Sequence, residues 1–206
     1  MFLLGTYEIT RDIATLLLIA VAVFLVYLFT KKSTKKKSHE KEIEDNPENL
    51  EGKTPENPYE GLRNMAFSVD YEQLGIKIPD GQKTVYGVIM DWEMGGAIST
   101  TVAYQSGGAS MYLSTGGGII GGGHHKNVRA AVRAFVDLAA NALPLANLAE
   151  GTPLPEANTI RFYLLTNDGT YVVQESMERF EDNSSPLVWL FDEGNKVLTE
   201  LRLISD

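Results

Sequence analysis

Hydrophobic and polar positions divide the chain into three stretches. Residues 13–29 (IATLLLIAVAVFLVYLF) are apolar all round, without the polar stripe that a helix in a soluble core shows every 3.6 residues. Residues 31–58 have almost no apolar side chains, and from Tyr59 onward apolar residues return in short periodic runs. This pattern predicts a membrane helix, a linker and one folded domain.

The first stretch, extended to Thr30, approaches the ~20 residues that cross the hydrocarbon of a bilayer. A cleaved signal peptide is the alternative, but the run exceeds the usual length of about 7–15 residues and no small-x-small cleavage site follows. Five lysines follow the run within residues 31–37, against Arg11 before it. Because the more basic flank stays in the cytoplasm, we expect a single-pass protein of the plasma (inner) membrane. Residues 1–12 would be a short extracytoplasmic N-terminus, residues 13–30 the transmembrane helix, and the C-terminal domain cytoplasmic.

The charge of the linker, residues 31–58, changes from positive to negative along its length. After the lysines come seven acidic residues between Glu40 and Glu56, and the segment contains three prolines. Such a composition cannot bury enough apolar surface to offset its ordering entropy, which predicts a flexible, disordered linker. A coil of this length spans about 30 Å. The lysines are either a topology signal alone or also a contact for anionic headgroups, so membrane lipid is the expected partner of residues 13–37.

Short periodic runs in residues 59–206 predict an α+β domain with about five mostly antiparallel strands and two to three helices. The expected elements are a helix over 59–74, a meander of strands over 84–93, 97–105 and 110–115, a helix over 126–143, and a hairpin over 159–175 turning at Asp168-Gly169. The last run, 186–203, fits either one helix kinked at Gly194-Asn195 or a strand followed by a helix.

Charge and composition narrow the classes of function. The chain has a net charge of −9, and its part from Tyr59 onward holds ten basic and eighteen acidic residues, a net charge of −8. We therefore expect no nucleic-acid partner, and repulsion from an anionic leaflet argues against the domain lying flat on lipid. The absence of cysteine excludes disulfides, thiolate metal sites and cysteine nucleophiles.

The segment GGGIIGGGHH, residues 116–125, is the most unusual of the chain. Glycines allow a backbone to approach a ligand closely, and the amides at the start of the next helix attract anions. The candidate ligand-binding residues here are Gly117, Gly118, Gly121, Gly122, Gly123, His124 and His125. A match to the dinucleotide pattern G-x-G-x-x-G carries little weight, since no acidic residue ends a second strand ~20 residues further on. A flexible or tightly packed glycine loop is the favoured interpretation.

Asp91 and Glu93 are the remaining candidate ligand-binding residues, because they share one face of a predicted strand. With one of the two histidines they would form a metal site or an acid/base pair if the fold brought them together. His124 and His125 are adjacent, so their side chains diverge and do not readily ligate one metal. We assign no metal, no cofactor and no catalytic residue.

Two hypotheses of function remain. The first is a membrane-anchored protein whose acidic cytosolic domain binds or scaffolds an as yet unidentified protein partner. The alternative is a small-anion or nucleotide-binding enzyme or sensor that uses the Gly116–His125 loop. No nucleophile elbow, P-loop, H-E-x-x-H or EF-hand pattern occurs, which favours the non-enzymatic hypothesis.

Overall fold

The structure, a computed structural model, describes residues 57–205. The predicted N-terminal segment and membrane span lie outside the described residues, as does the linker up to residue 56. Within the described part, no helix has the length and apolar character that crossing a bilayer requires.

Helices and strands alternate in groups around one antiparallel sheet. The helices are α1 (Tyr59–Ser68), α2 (Lys126–Ala139), α3 (Met177–Glu181) and α4 (Val188–Leu203). The strands are β1 (Val85–Met94), β2 (Ala97–Tyr104), β3 (Ala109–Leu113), β4 (Gly118–Ile119), β5 (Asn147–Leu148), β6 (Thr159–Thr166) and β7 (Gly169–Ser176). Their order in the sheet is β4-β3-β2-β1-β6-β7-β5. The predicted α+β class, the β1–β3 meander and the β6–β7 hairpin are confirmed.

The expected numbers of about five strands and two to three helices are both too low for the described residues, which form four α-helices. β4 and β5 have two residues each and lie at the two edges of the sheet. A two-residue strand is too short to show alternation, so no pattern in the sequence predicts it. The sheet therefore has seven strands rather than five.

Helix ends also differ from expectation. α1 ends at Ser68 rather than residue 74, because Asp70 accepts a hydrogen bond from the amide of Gln73 in a separate turn. α2 ends at Ala139 rather than residue 143, where the chain tightens into a 3-10 turn. Pro144 lies inside this turn, in which its missing amide does not break an α-helical ladder.

α4 is one helix that continues through Gly194, so the alternative of a strand followed by a helix is wrong. A Cβ at Gly194 would lie 2.7 Å from Sδ of Met90 and 3.3 Å from Cζ of Phe135. The glycine lets α4 approach the sheet and α2 closely, a contact that depends on residues distant in sequence.

Helices cover both faces of the sheet. α2 and α4 pack over the face that carries Met90 and Trp92, where Trp92 meets Phe191 of α4 edge-on at 5.2 Å. On the opposite face α1 and the loop after it pack over a core that includes Ile89 and Tyr163. Strict alternation along β1 places Tyr86 with Met90 and Trp92, but a bulge between Val85 and Gly87 interrupts the register. Tyr86 thereby joins the α1 face, where its hydroxyl donates to the carbonyl of Val69.

Candidate functional site

The glycine-rich loop contains two kinds of glycine. Gly116, Gly117 and Gly121 have φ values of 96°, 90° and 82°, a region that side chains other than glycine rarely adopt. These three residues build the turns on either side of β4. The positive φ values at these three positions explain why glycine occupies them.

The other glycines of the loop are closely packed. A Cβ at Gly118 would collide with the backbone oxygen of Met111 on the neighbouring strand, and one at Gly122 would collide with Leu201 of α4. A Cβ at Gly123 would lie 2.9 Å from the carbonyl oxygen of Gly107. Turn geometry and packing together account for the glycines of this loop.

His124 and His125 are exposed at the entry to α2. The carbonyl of His125 accepts the amide of Arg129, which starts the helix, and its side chain makes no capping hydrogen bond. Both histidines precede a helix on one face of the sheet, whereas Asp91 points to the opposite face, toward α1. The structure therefore does not bring the histidines to the carboxylates, and the described residues contain no group of three metal-ligating His, Asp or Glu side chains.

Asp91 lies at the centre of a buried polar network on the α1 face. Its side chain is fully buried and its Oδ2 accepts hydrogen bonds from Nη2 and Nε of Arg63, at 2.6 and 3.1 Å. Its Oδ1 accepts the hydroxyl of Thr100 at 2.5 Å, which the β1–β2 register places directly opposite. Since the Thr100 proton is used in this way, the Tyr59 hydroxyl is the donor in its 2.8 Å hydrogen bond to Thr100.

Arg63 connects α1 to the sheet and to the loop before β6. Its Nη1 donates to the carbonyl of Thr152 at 2.8 Å, and its guanidinium lies 4.8 Å from the centroid of the Phe67 ring. Burial lowers the pKa of Arg63, but the hydrogen bond and charge of Asp91 outweigh burial and raise it. A permanently charged guanidinium thus neutralises the one fully buried carboxylate among the described residues.

The same network holds Tyr59 in its neutral form. Burial raises the pKa of the Tyr59 phenol to about 12, and the nearby Asp91 charge acts in the same direction. Both oxygens of Asp91 and the hydroxyls of Thr100 and Tyr59 are occupied by one another or by Arg63. As arranged, the network fixes α1 to the sheet.

The sequence patterns did not predict a role for Arg63, Tyr59 and Thr100. A signal was present: Tyr59, Arg63 and Ala66 lie at helical spacing on the buried stripe of α1. An arginine on an apolar helix face requires an acidic partner in the core, and Asp91 within an apolar strand is the complementary signal.

Glu93 has a different structural role from Asp91. Its Oε2 accepts the amide of Asn158 at 2.7 Å and its Oε1 accepts the amide of Gly96. These backbone hydrogen bonds, from Asn158 first and then Gly96, lower the pKa of Glu93 below 4.5. The carboxylate joins the β1–β2 turn to the loop that enters β6.

We expect Glu93→Gln to reveal a stability term that depends on pH. A lowered pKa in the folded state stabilises the fold above the unfolded value near 4.5, and this stabilisation disappears as pH falls through the folded value. Near neutral pH the variant should lose about 1–2 kcal/mol of unfolding free energy, and this loss should shrink as pH falls below 4.5 and through the folded pKa. Denaturant titrations at a series of pH values measure this. Glu156→Gln, which removes one exposed carboxylate nearby, controls for net charge, and a deficit of Glu93→Gln that persists at low pH would contradict the assignment.

Thr100 and Thr101 allow one isosteric change to be compared on the two faces of β2. Thr101 is fully buried opposite Met90 and its Oγ1 has no hydrogen-bond partner, whereas the Thr100 hydroxyl serves Asp91. Thr101→Val should raise the free energy of unfolding by about 1–2 kcal/mol, because it removes a buried, unsatisfied hydroxyl. Thr100→Val should lower it by about 1.5–3 kcal/mol. Equal shifts of the two variants in denaturant titrations would refute the difference between the faces.

Exposed leucines gather at the β5 edge of the sheet. Leu145, Leu148 and Leu154 are 46%, 62% and 43% exposed and lie within ten residues of one another. β5 pairs with the eight-residue strand β7 at Tyr171 and Val172, and the amide of the next residue, Ala149, donates to the carbonyl of Thr170. We call Leu145, Leu148 and the outer side of β7 the leucine edge. It combines exposed apolar side chains with a strand that is only partly covered, the two features of a surface that accepts an extended segment.

Comparisons with known proteins returned no counterpart: no protein-family model matches the chain, and neither does any curated protein or solved structure.

Proposed function

We propose that residues 59–206 form a protein-binding module that acts beside a membrane, to which residues 13–30 anchor the chain. The observation that carries the protein-binding part is the leucine edge. Apolar side chains as exposed as Leu148, on a two-residue strand at a sheet edge, favour burial against a partner. The membrane part is supported by the apolar run and the lysines that follow it.

The partner that fits this surface is a protein segment in extended conformation with apolar side chains. Such a segment would add to the sheet beside β7, where β5 and Ala149 pair with three of eight residues. Main-chain hydrogen bonds then supply affinity, and contacts to Leu145 and Leu148 supply specificity. Tethering restricts the domain to the neighbourhood of the bilayer, which raises its effective concentration toward partners in the same membrane.

The alternative, an enzyme or sensor that uses the Gly116–His125 loop, receives less support. Turns and packing already account for the loop glycines, and the histidines lie away from Asp91 and Glu93. The two carboxylates hold α1 and the turns in place.

A photoreactive amino acid at position 148 of the full-length chain tests the proposal in the cells from which the protein comes. We expect a discrete cross-linked protein at Leu148 and none at Thr115, an exposed position beside β4 at the opposite edge of the sheet. Cross-linking at both positions, or at neither, would overturn it.

A pair of charge substitutions gives a second readout. In the chain without the photoreactive amino acid, Leu148→Asp should lower recovery of the partner identified by cross-linking at least about tenfold in detergent extracts, because the substitution places a charge in the apolar contact. Met65→Asp, on a side chain of α1 that is 65% exposed, should leave recovery unchanged. An equal loss with both variants would show that the leucine edge is not the binding surface.

A further inference from the structure

Basic residues are concentrated at one end of this acidic domain. From Met94 to Val136, 43 residues contain no aspartate or glutamate, and this stretch includes β2, β3, β4 and most of α2. Lys126, Arg129 and Arg133 follow one another at helical spacing along α2, with Lys126 and Arg133 exposed and Arg129 half-buried. The net charge of −8 is therefore distributed very unevenly over the domain.

The C-terminal end of α4 adds to this surface. Gly122, which precedes α2, packs against Leu201 of α4 and Val128 of α2, so the start of one helix meets the end of the other. Arg202 lies one residue beyond Leu201, and Glu200 is the acidic neighbour in the same turn. We call Lys126, Arg129, Arg133 and Arg202 the basic end.

The ion pairs of the described residues involve cations outside the basic end. These cations are Arg63, Lys83, Arg179 and Lys196, none of which belongs to this surface. Arg129 reaches the β2–β3 turn, where its side chain packs on Gly107. The cations therefore extend from α2 to the tip of the sheet.

Two exposed apolar side chains accompany these charges. Ile120 is 67% exposed two residues before Gly122, and Leu203 is 64% exposed two residues after Leu201. Since Gly122 contacts Leu201, both side chains flank the same junction. Basic residues around protruding apolar side chains are the combination that binds at the interface of an anionic bilayer.

We propose that the basic end docks on an anionic lipid surface and so orients the domain on the membrane. This inference rests on the membrane anchor of the proposed function and adds which face turns to the bilayer. A coil of the length of residues 31–58 would span about 30 Å and would keep this end within reach of headgroups, so that a few charges would suffice. The leucine edge lies at the opposite edge of the sheet, beside β5, and then remains accessible to protein.

The test uses the full-length chain in vesicles that contain a nitroxide-labelled lipid. Because the chain has no cysteine, Ser106→Cys beside Gly107 and Ala157→Cys in the loop before β6 each provide a unique site for a fluorophore. We expect quenching of the label at position 106 when phosphatidylserine is present and loss of quenching in phosphatidylcholine alone. The label at position 157 should be quenched much less in both.

Neutralisation identifies the residues responsible. Lys126→Gln, Arg129→Gln and Arg133→Gln together should lower the ratio of docked to free domain about 100-fold, at about fivefold per charge. Lys77→Gln, Lys83→Gln and Lys196→Gln change net charge equally and should retain quenching. Quenching that survives the first triple substitution, or is equal at both labels, would overturn the inference, as would protection of position 106 only when a partner protein is added.

The two proposals fail in different ways. Vesicles contain no protein partner, so a missing cross-link at Leu148 leaves the quenching result unchanged. Loss of the chain from vesicles after a carbonate wash would overturn the anchor and with it this inference, whereas a retained chain without charge-dependent quenching would overturn the lipid-docking inference alone.

Discussion

Arg63→Met should lower the free energy of unfolding by about 3–5 kcal/mol, the largest effect we expect from a single substitution here. It leaves the carboxylate of Asp91, which is fully buried, without a cation. Thr100 continues to donate one hydrogen bond but cannot neutralise the charge. Denaturant unfolding followed by tryptophan fluorescence measures the loss, because Trp92 and Trp189 both lie in this domain and are the two tryptophans of the chain.

Two further variants separate the buried charge from a general loss of contacts. Adding Asp91→Asn to Arg63→Met should restore about half of the lost stability, since no unpaired charge remains. Arg161→Met is the matched control: Arg161 also donates to the carbonyl of Pro153, at 3.0 Å, but neutralises no buried acid. Arg161→Met should lower the free energy of unfolding by about 1–1.5 kcal/mol. A double variant less stable than Arg63→Met would contradict this account of the network.

Gly194→Ala should destabilise the domain by about 1–3 kcal/mol, although alanine is the better helix former. The added methyl group would meet Met90 and Phe135, both fully buried, so these core side chains would have to shift to accommodate it. Thermal or denaturant unfolding of the full chain measures the change.

Gly61→Ala is the control for helix propensity. Gly61 lies within α1 and a Cβ there would meet nothing within 4 Å. The substitution should therefore raise stability by about 0.5–1 kcal/mol. Shifts of the same sign for the two variants would show that packing at Gly194 is not the dominant effect.

Local patterns were sufficient where structure depends on neighbours in sequence. Alternation over β1, β2 and β3 predicted the meander, and Asn167-Asp168-Gly169 predicted the β6–β7 hairpin. The turn residues are Asn167 and Asp168 rather than the predicted Asp168-Gly169, because Gly169 already pairs with Thr166 as the first residue of β7. Helical spacing predicted α2, with Val128, Val132 and Phe135 buried.

Long-range contacts decided the remainder. Asp91 and Glu93 were predicted as candidate ligand-binding residues from their shared strand face, whereas the structure gives them hydrogen-bond partners from α1 and from the loop before β6. The glycine loop was recognised as unusual, yet Leu201 and Gly107 explain its packing and both lie far away in sequence. The distribution of charge into a basic end depends in the same way on α2 meeting α4.

The sequence by itself determined the fold class, the main strands and helices, and the prediction of an anchor and a linker before residue 59. Only the tertiary structure decided that Arg63 neutralises Asp91, that Gly194 permits packing instead of breaking α4, and that Tyr86 changes face at a bulge. The physical reason is that periodicity reports burial relative to an element's own axis. The identity of the group that fills the space opposite a side chain depends on how distant elements pack.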